Sequence, residues 1–180
     1  LKDFEYKVYS LKDVDLAGIE IVEDGKTFEH NALIKARTIA KKTKLIAISD
    51  DSGLEVDALG KKPGVYSARY AGEHATDEEN RKKLLKAMQN VPMSKRNARF
   101  VSAIAVVFPD GKEFVVRGIC EGMIGFEEKG KNGFGYDSLF IVKGYDKTFG
   151  EIPSVIKNSI SHRANALKLM KQEFIKRVVK

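Results

Sequence analysis

The run Ser49-Asp50-Asp51-Ser52-Gly53-Leu54-Glu55-Val56-Asp57 directly follows the apolar stretch Leu45-Ile46-Ala47-Ile48. This order predicts a strand ending in a Ser-Gly turn that carries two adjacent carboxylates, a place where α/β proteins commonly hold metal ions and phosphates. A solvated β-turn would use the same residues for purely local reasons, because Asp, Ser and Gly all favour turns. Side chains alternate across a strand, so Asp50 and Asp51 can share one site only if the backbone turns there. Otherwise one is functional and the other structural. The functional one could ligate Mg²⁺, or orient or deprotonate a water attacking phosphorus, and the sequence leaves these roles open.

Around this run the periodicities alternate between helix and strand. Phe28, Ala32, Leu33, Ala36, Ile39 and Ala40 recur at helical spacing and predict an amphipathic helix from Thr27 to about Lys42, with Thr27 as its N-cap. Thr76-Asp77-Glu78-Glu79 has the form of a capping box and opens a helix through Leu84, Leu85 and Met88 that closes near Pro92. Arg99 to Phe108 and Glu113 to Glu121 are β-rich and are separated by Pro109-Asp110-Gly111-Lys112, a hairpin signal that makes the sheet at least partly antiparallel. A charged, glycine-containing loop, Glu127 to Gly133, precedes a short aromatic element, Phe134 to Ile141. After Ser161, the residues Ala166, Leu167, Met170, Phe174, Ile175 and Val178 lie on one face of a final helix. The expectation is a single α/β domain with one continuous sheet and helices on its faces.

Composition narrows the function classes. The 180 residues, 43% of them hydrophobic, are enough to bury a core, and 32 Lys and Arg against 25 Asp and Glu favour anionic partners. No zinc-finger, RNP or basic-zipper pattern is present, so a small anion is a better partner than nucleic acid. Part of the charge is a solvated helix face: Lys168, Lys171, Lys176, Arg177 and Lys180 all lie in the C-terminal segment. The single cysteine, Cys120, rules out an internal disulfide and fits a reducing, cytoplasmic compartment, with the thiol buried in a strand. There is no stretch apolar enough to span a bilayer and no signal-peptide pattern.

Other candidate groups are weak individually. Lys157 precedes His162-Arg163 by a short interval, and three donor side chains there suit capture of a phosphate or a nucleobase. Surface charge and a hydrogen-bonded structural histidine would account for the same residues. Phe134 beside Gly135 could stack on a base, with the glycine allowing close approach, although an aromatic at a strand start is usually core.

Taken together, Ser49 to Ala71 (with Ser-Asp-Asp-Ser-Gly-Leu and Pro-Gly-Val-Tyr-Ser-Ala-Arg-Tyr-Ala), Gly133 to Phe140 (Gly-Phe-Gly-Tyr-Asp-Ser-Leu-Phe), Tyr145 to Pro153 and Ser161 to Leu167 resemble the inosine triphosphate pyrophosphatase family, in that family's order and across nearly the whole chain. The resemblance implies an elongated mixed β-sheet flanked by helices, two lobes with a central cleft, and a homodimer. It implies Mg²⁺-dependent hydrolysis of non-standard purine nucleoside triphosphates (ITP, dITP, XTP) between the α- and β-phosphates, releasing nucleoside monophosphate and pyrophosphate. Carried over by residue, Asp51 is the expected proton acceptor and metal-site acid, with Glu29 as a second metal ligand. Ser52, Phe134, Gly135, Tyr136, Asp137, Lys157, His162 and Arg163 are the expected substrate contacts.

Two departures stand out. The family begins with a strand and a Thr/Ser-x-Asn-x-x-Lys loop that cradles the triphosphate, whereas this sequence starts at Leu1 without either. We expect residues 1–180 to be a single domain whose natural first residues precede the sequence as given. The family also has Glu-Asn-Ala at the start of the first helix, where this chain has Glu29-His30-Asn31-Ala32. Mg²⁺ prefers oxygen to imidazole, so His30 would be an unusual ligand, and a softer metal or a shell of Asp51 and waters is the alternative. The competing functions are a related pyrophosphatase acting on modified or pyrimidine nucleotides and a non-catalytic nucleotide-binding protein.

Overall fold

A computed structural model describes residues 6–178. The elements follow in the order α1 (Phe28–Thr43), β1 (Ala47–Val56), α2 (Asp77–Ala87), β2 (Asn97–Val107), β3 (Glu113–Ile124), β4 (Phe140–Val142), α3 (Ser154–Ile160) and α4 (His162–Val178), with short 3-10 segments between them. Thr27 caps α1 by accepting from the His30 N–H, and Thr76 and Glu79 close a reciprocal capping box on α2, both as their sequences require. α3, the helix that carries Lys157, was not anticipated; it is only seven residues long and has no side-chain cap.

The four strands form one sheet in the order β1-β2-β3-β4. Every ladder among the described residues is antiparallel, so the parallel pairing that a mixed sheet needs is not found there. Register fixes two faces. Asp51, Ala103 and Arg117 stand in one cross-strand row, and Asp50, Ile104 and Val116 in the next row on the opposite face.

Each end of the sheet has its own core, which gives the elongated, two-lobed arrangement a physical basis. At the end that starts β1, α1 packs Phe28, Ala32, Ala36 and Ala40 on Val101, Ala103, Ala105 and Val107. α4 packs Ala166, Met170 and Phe174 on Ile104, Val106 and Phe114 across the sheet. At the other end Leu54, Val56, Phe100, Cys120 and Ile124 are covered by Leu84 and Met88 of α2 and by Tyr136, Leu139, Phe140 and Phe149. Asp50 to Gly53 lie at the junction of the two lobes.

Three expectations are corrected. No turn interrupts Ser49-Gly53: β1 runs unbroken from Ala47 to Val56. Gly53 serves packing there, since a Cβ would stand 2.5 Å from Ser67 Oγ, 2.6 Å from Gly64 O and 2.8 Å from the Phe28 ring. The aromatic element narrows to three strand residues, Phe140–Val142. On α4 the buried stripe is Ala166, Met170 and Phe174, while Leu167 and Ile175 are 50% and 38% exposed.

Candidate active site

Because β1 does not turn, Asp50 and Asp51 point to opposite faces, and each gathers a different set of groups. The Asp51 side is assembled from α1 and the segment before it. Gly25 donates its N–H to Asn31 Oδ1 at 2.8 Å, so the first turn of α1 pins residues 20–26 against the helix. Glu23 is thereby brought to Lys35, whose ammonium lies 2.9 Å from Glu23 Oε2 and 3.2 Å from Asp51 Oδ1. The second oxygen, Asp51 Oδ2, is buried and has no hydrogen-bond partner. Burial, helped by the Glu23 charge, raises the Asp51 carboxyl above the ordinary carboxylate range, with Lys35 and the nearby Asn31 side chain pulling the other way. A half-buried carboxylate with a free oxygen and a raised pKa is suited to holding a cation or accepting a proton.

Glu29, expected as the second metal ligand, is elsewhere. Its carboxylate accepts from Arg117 at 2.8 Å, and Arg117 also donates to Glu55 at 2.7 Å, an ion-pair row along the α1 face. Burial pushes the Glu29 carboxyl up, but the Arg117 contact together with hydrogen bonds from its own backbone N–H and from Thr27 leaves the pKa lowered. His30 is exposed, and only its backbone N–H takes part in the cap. The carboxylate that does accompany Asp51 is Glu23. Neither Glu23 nor Lys35 was singled out from the sequence, because their meeting depends on a loop folding back over α1 through Gly25.

The Asp50 side forms around the start of α4. Gly118 on β3 permits this docking: a Cβ there would fall 2.2 Å from Ala166 N and 2.4 Å from His162 O. The first turn of α4 therefore presses on the sheet, stacking the His162 ring on Phe100 with centroids 4.9 Å apart and bringing Arg163 Nε within 3.1 Å of Asp50 Oδ2. Ser52 Oγ donates to the same carboxylate at 2.8 Å, and Ser102 Oγ donates to it as well.

Lys157 reaches across from α3 to the buried Asp137, which also accepts from Phe134 N–H at 2.8 Å. Gly133 makes this turn possible. Its φ is +79°, and a Cβ would stand 2.0 Å from Asp137 Oδ2. Phe134 is left 65% exposed, with Lys157 Nζ 5.0 Å and the Arg163 guanidinium 5.8 Å from its ring centre. An exposed aromatic face with two cations beside it suits a planar, anionic ligand.

Ser52 and the buried Asp137, expected as substrate contacts, thus hold side chains of the fold, and two further expected contacts do the same. Tyr136 is buried in the core, and its hydroxyl donates to Ser67 O at 2.8 Å. His162, expected among the donors, is neutral: burial, then the Arg163 charge, pushes its pKa down to about 3. Arg163 Nη1 lies 3.4 Å from its Nε2, and its Nδ1 is buried without a partner.

Two cavities flank these groups. One of about 660 Å³ lies over the α1 face against Phe28, Glu29, Val65, Tyr66, Arg69 and Arg117. The other, about 240 Å³, lies beside Phe134, Gly135 and Asp137.

The antiparallel α/β scaffold thus carries a Glu23-Lys35-Asp51 cluster on one face of β1 and an aromatic, cationic shelf on the other. The chain belongs to the Ham1 family, whose model matches residues 1–173. It is 54% identical to the dITP/XTP pyrophosphatase of Bacillus licheniformis over 91% of this chain and 83% of that protein. It is 49% identical to that of Bacillus subtilis over 91% and 82% respectively. Among solved structures, a HAM1 protein from Coxiella burnetii superposes with a TM-score of 0.90 at 42% identity, covering 98% of this chain and 89% of that one.

Proposed function

We propose that the protein hydrolyses ITP, dITP and XTP to the nucleoside monophosphate and pyrophosphate, removing non-standard purines from the nucleotide pool. The observation that carries this reading is the placement of a buried carboxylate with a free oxygen, Asp51 Oδ2, on the strand whose other face holds the Phe134 shelf through Asp50 and Arg163. The likeness to dITP/XTP pyrophosphatases supports the choice of substrate.

In this reading Phe134 stacks on the base, Lys157 and Arg163 offer positive charge and donors, and Lys35 faces the phosphates. Asp51 Oδ2 takes a proton from the attacking water as the new O–P bond forms at the α–β anhydride. The bridging P–O bond then breaks, and pyrophosphate leaves. The raised Asp51 pKa makes it a better proton acceptor than an ordinary carboxylate, provided Lys35 keeps it ionised.

Asp51 and Glu23 are the oxygen donors that would hold Mg²⁺, which takes few carboxylates and completes its shell with waters and phosphate oxygens. Lys35, which now stands between them, would have to turn toward the phosphates. Among the described residues no group of three or more His, Cys, Asp or Glu could hold a metal ion. Bound there, Mg²⁺ would supply neutralisation of charge on the triphosphate. A homodimer and a cytoplasmic location complete the proposal. The buried single thiol supports a reducing compartment, and no helix among the described residues is long and apolar enough to cross a membrane.

Inosine and xanthine present a 6-keto acceptor where adenine presents a donor, so a shelf of donors leaves mismatched groups against adenine. Such mismatches cost about 1–3 kcal/mol each. Pyrophosphate release from ITP, dITP, XTP, ATP, GTP and pyrimidine triphosphates tests the assignment. Guanine shares the 6-keto group and is rejected through its 2-amino group, so a preference for the first three by two orders of magnitude is expected. Equal kcat/KM for ATP and ITP overturns it, and nucleotide binding without release makes the protein a sensor.

A further inference from the structure

Gly135 is a pivot between two aromatics that go opposite ways: Phe134 outward at 65% exposure and Tyr136 inward at 4%. Both polar groups of its backbone are held by side chains one helical turn apart on α2. Its N–H donates to Asp77 Oδ2 at 2.7 Å, and its carbonyl accepts from Arg81 Nη1 at 2.9 Å. Arg81 Nε also donates to Glu128 Oε2 at 2.8 Å, and the same oxygen accepts from Ser138 Oγ at 3.0 Å. The loop that carries Phe134 is thus tied to one helix face at Glu128 and at Gly135, while Asp137 holds the Phe134 N–H from within the loop.

From this double grip we propose that Asp77 and Arg81 are positioning residues for nucleobase recognition. They fix the Gly135 peptide, whose φ of +59° turns the Phe134 ring toward the shelf shared with Lys157 and Arg163. The inference rests on the function proposed above. It extends that reading to two residues of α2 that border the cavity beside Phe134 and act on the ring through the Gly135 backbone. Without the grip the peptide can rotate, and the ring samples orientations in which stacking is lost. Phosphate binding and the chemistry at Asp51, on the opposite face of β1, do not depend on it.

The test compares two competitive inhibitors of ITP hydrolysis: IMP, which carries base and phosphate, and ribose 5-phosphate, which lacks the base. For Arg81→Ala and Asp77→Ala, we expect IMP inhibition to weaken by about tenfold, ribose 5-phosphate inhibition to stay within twofold, and KM for ITP to rise more than kcat falls. Asp77→Asn, which retains a carbonyl acceptor for the Gly135 N–H, should bind IMP nearly as the parent does. Loss of both inhibitors in equal proportion, or an unchanged IMP constant, overturns the proposal. If Arg81→Ala does not fold, the Asp77 pair alone decides, because Asp77 is exposed on the first turn of α2. Failure of the underlying function would appear separately, as absence of ITP hydrolysis by the parent protein.

Discussion

Asp50 and Asp51 are consecutive in sequence, yet their carboxylates are bound on opposite faces of one strand, Asp50 by Arg163 at 3.1 Å and Asp51 by Lys35 at 3.2 Å. β1 therefore separates two tasks between two neighbouring acids. Asp50 organises the start of α4, and Asp51 keeps one oxygen free.

Asp51→Asn should lower kcat by about a hundredfold or more, the usual worth of a general base. Its folded pKa is raised, so the ionised form costs folding free energy above the unfolded pKa, and this cost grows as pH rises through the folded pKa. The variant should then melt at or above the parent temperature near neutral pH. Asp50→Asn should retain more activity. Steady-state kinetics with thermal melts checks both, and Asp51→Asn activity within a few fold of the parent would remove the residue from the chemistry.

Lys35 is the cation held between Glu23 and Asp51. Replacing it with Met leaves two facing carboxylates, which disfavours ionisation of Asp51 and raises its pKa further. The acid limb of the kcat/KM profile against pH should move to higher pH. An unmoved limb would mean that Lys35 does not control the charge of Asp51.

His162 is buried neutral with its pKa pushed down to about 3, against about 6.5 in an unfolded chain. The unfolded state alone gains a proton as pH falls below 6.5, so stability should decline by up to about 1.4 kcal/mol per pH unit between 6.5 and 3 from this residue. His162→Gln should flatten the dependence of melting temperature on pH in that window. If the two curves run parallel, the ring is not the group responsible.

Gly118→Ala places a methyl group against the backbone of α4, 2.2 Å from Ala166 N. The helix must shift, at a cost of about 1–3 kcal/mol. Because that helix carries His162 and Arg163, KM for ITP should rise along with the loss of stability. A destabilised variant with parent KM would show that the helix can move without disturbing the shelf.

Helices α1, α2 and α4 and the β2-β3 hairpin were legible because each is local: a cap, a 3.6-residue period, a Pro-Asp-Gly turn. The alternation rule alone required that Asp50 and Asp51 divide their roles unless the chain turned. Whether it turned was not a local matter. Gly53 looks like a turn residue in isolation and proves to be a packing residue, because Phe28, Gly64 and Ser67 arrive from distant parts of the chain. Glu23 and Lys35 stayed hidden for the same reason, and Glu29, adjacent to the expected family position, was claimed by Arg117, 88 residues away. Local periodicity specifies which stretches are helix or strand, since it depends on neighbours three or two residues apart. Which carboxylate is paired and which is free depends on cross-strand register and on two close approaches, at Gly25 and Gly118, and these exist only once the sheet and its helices are packed.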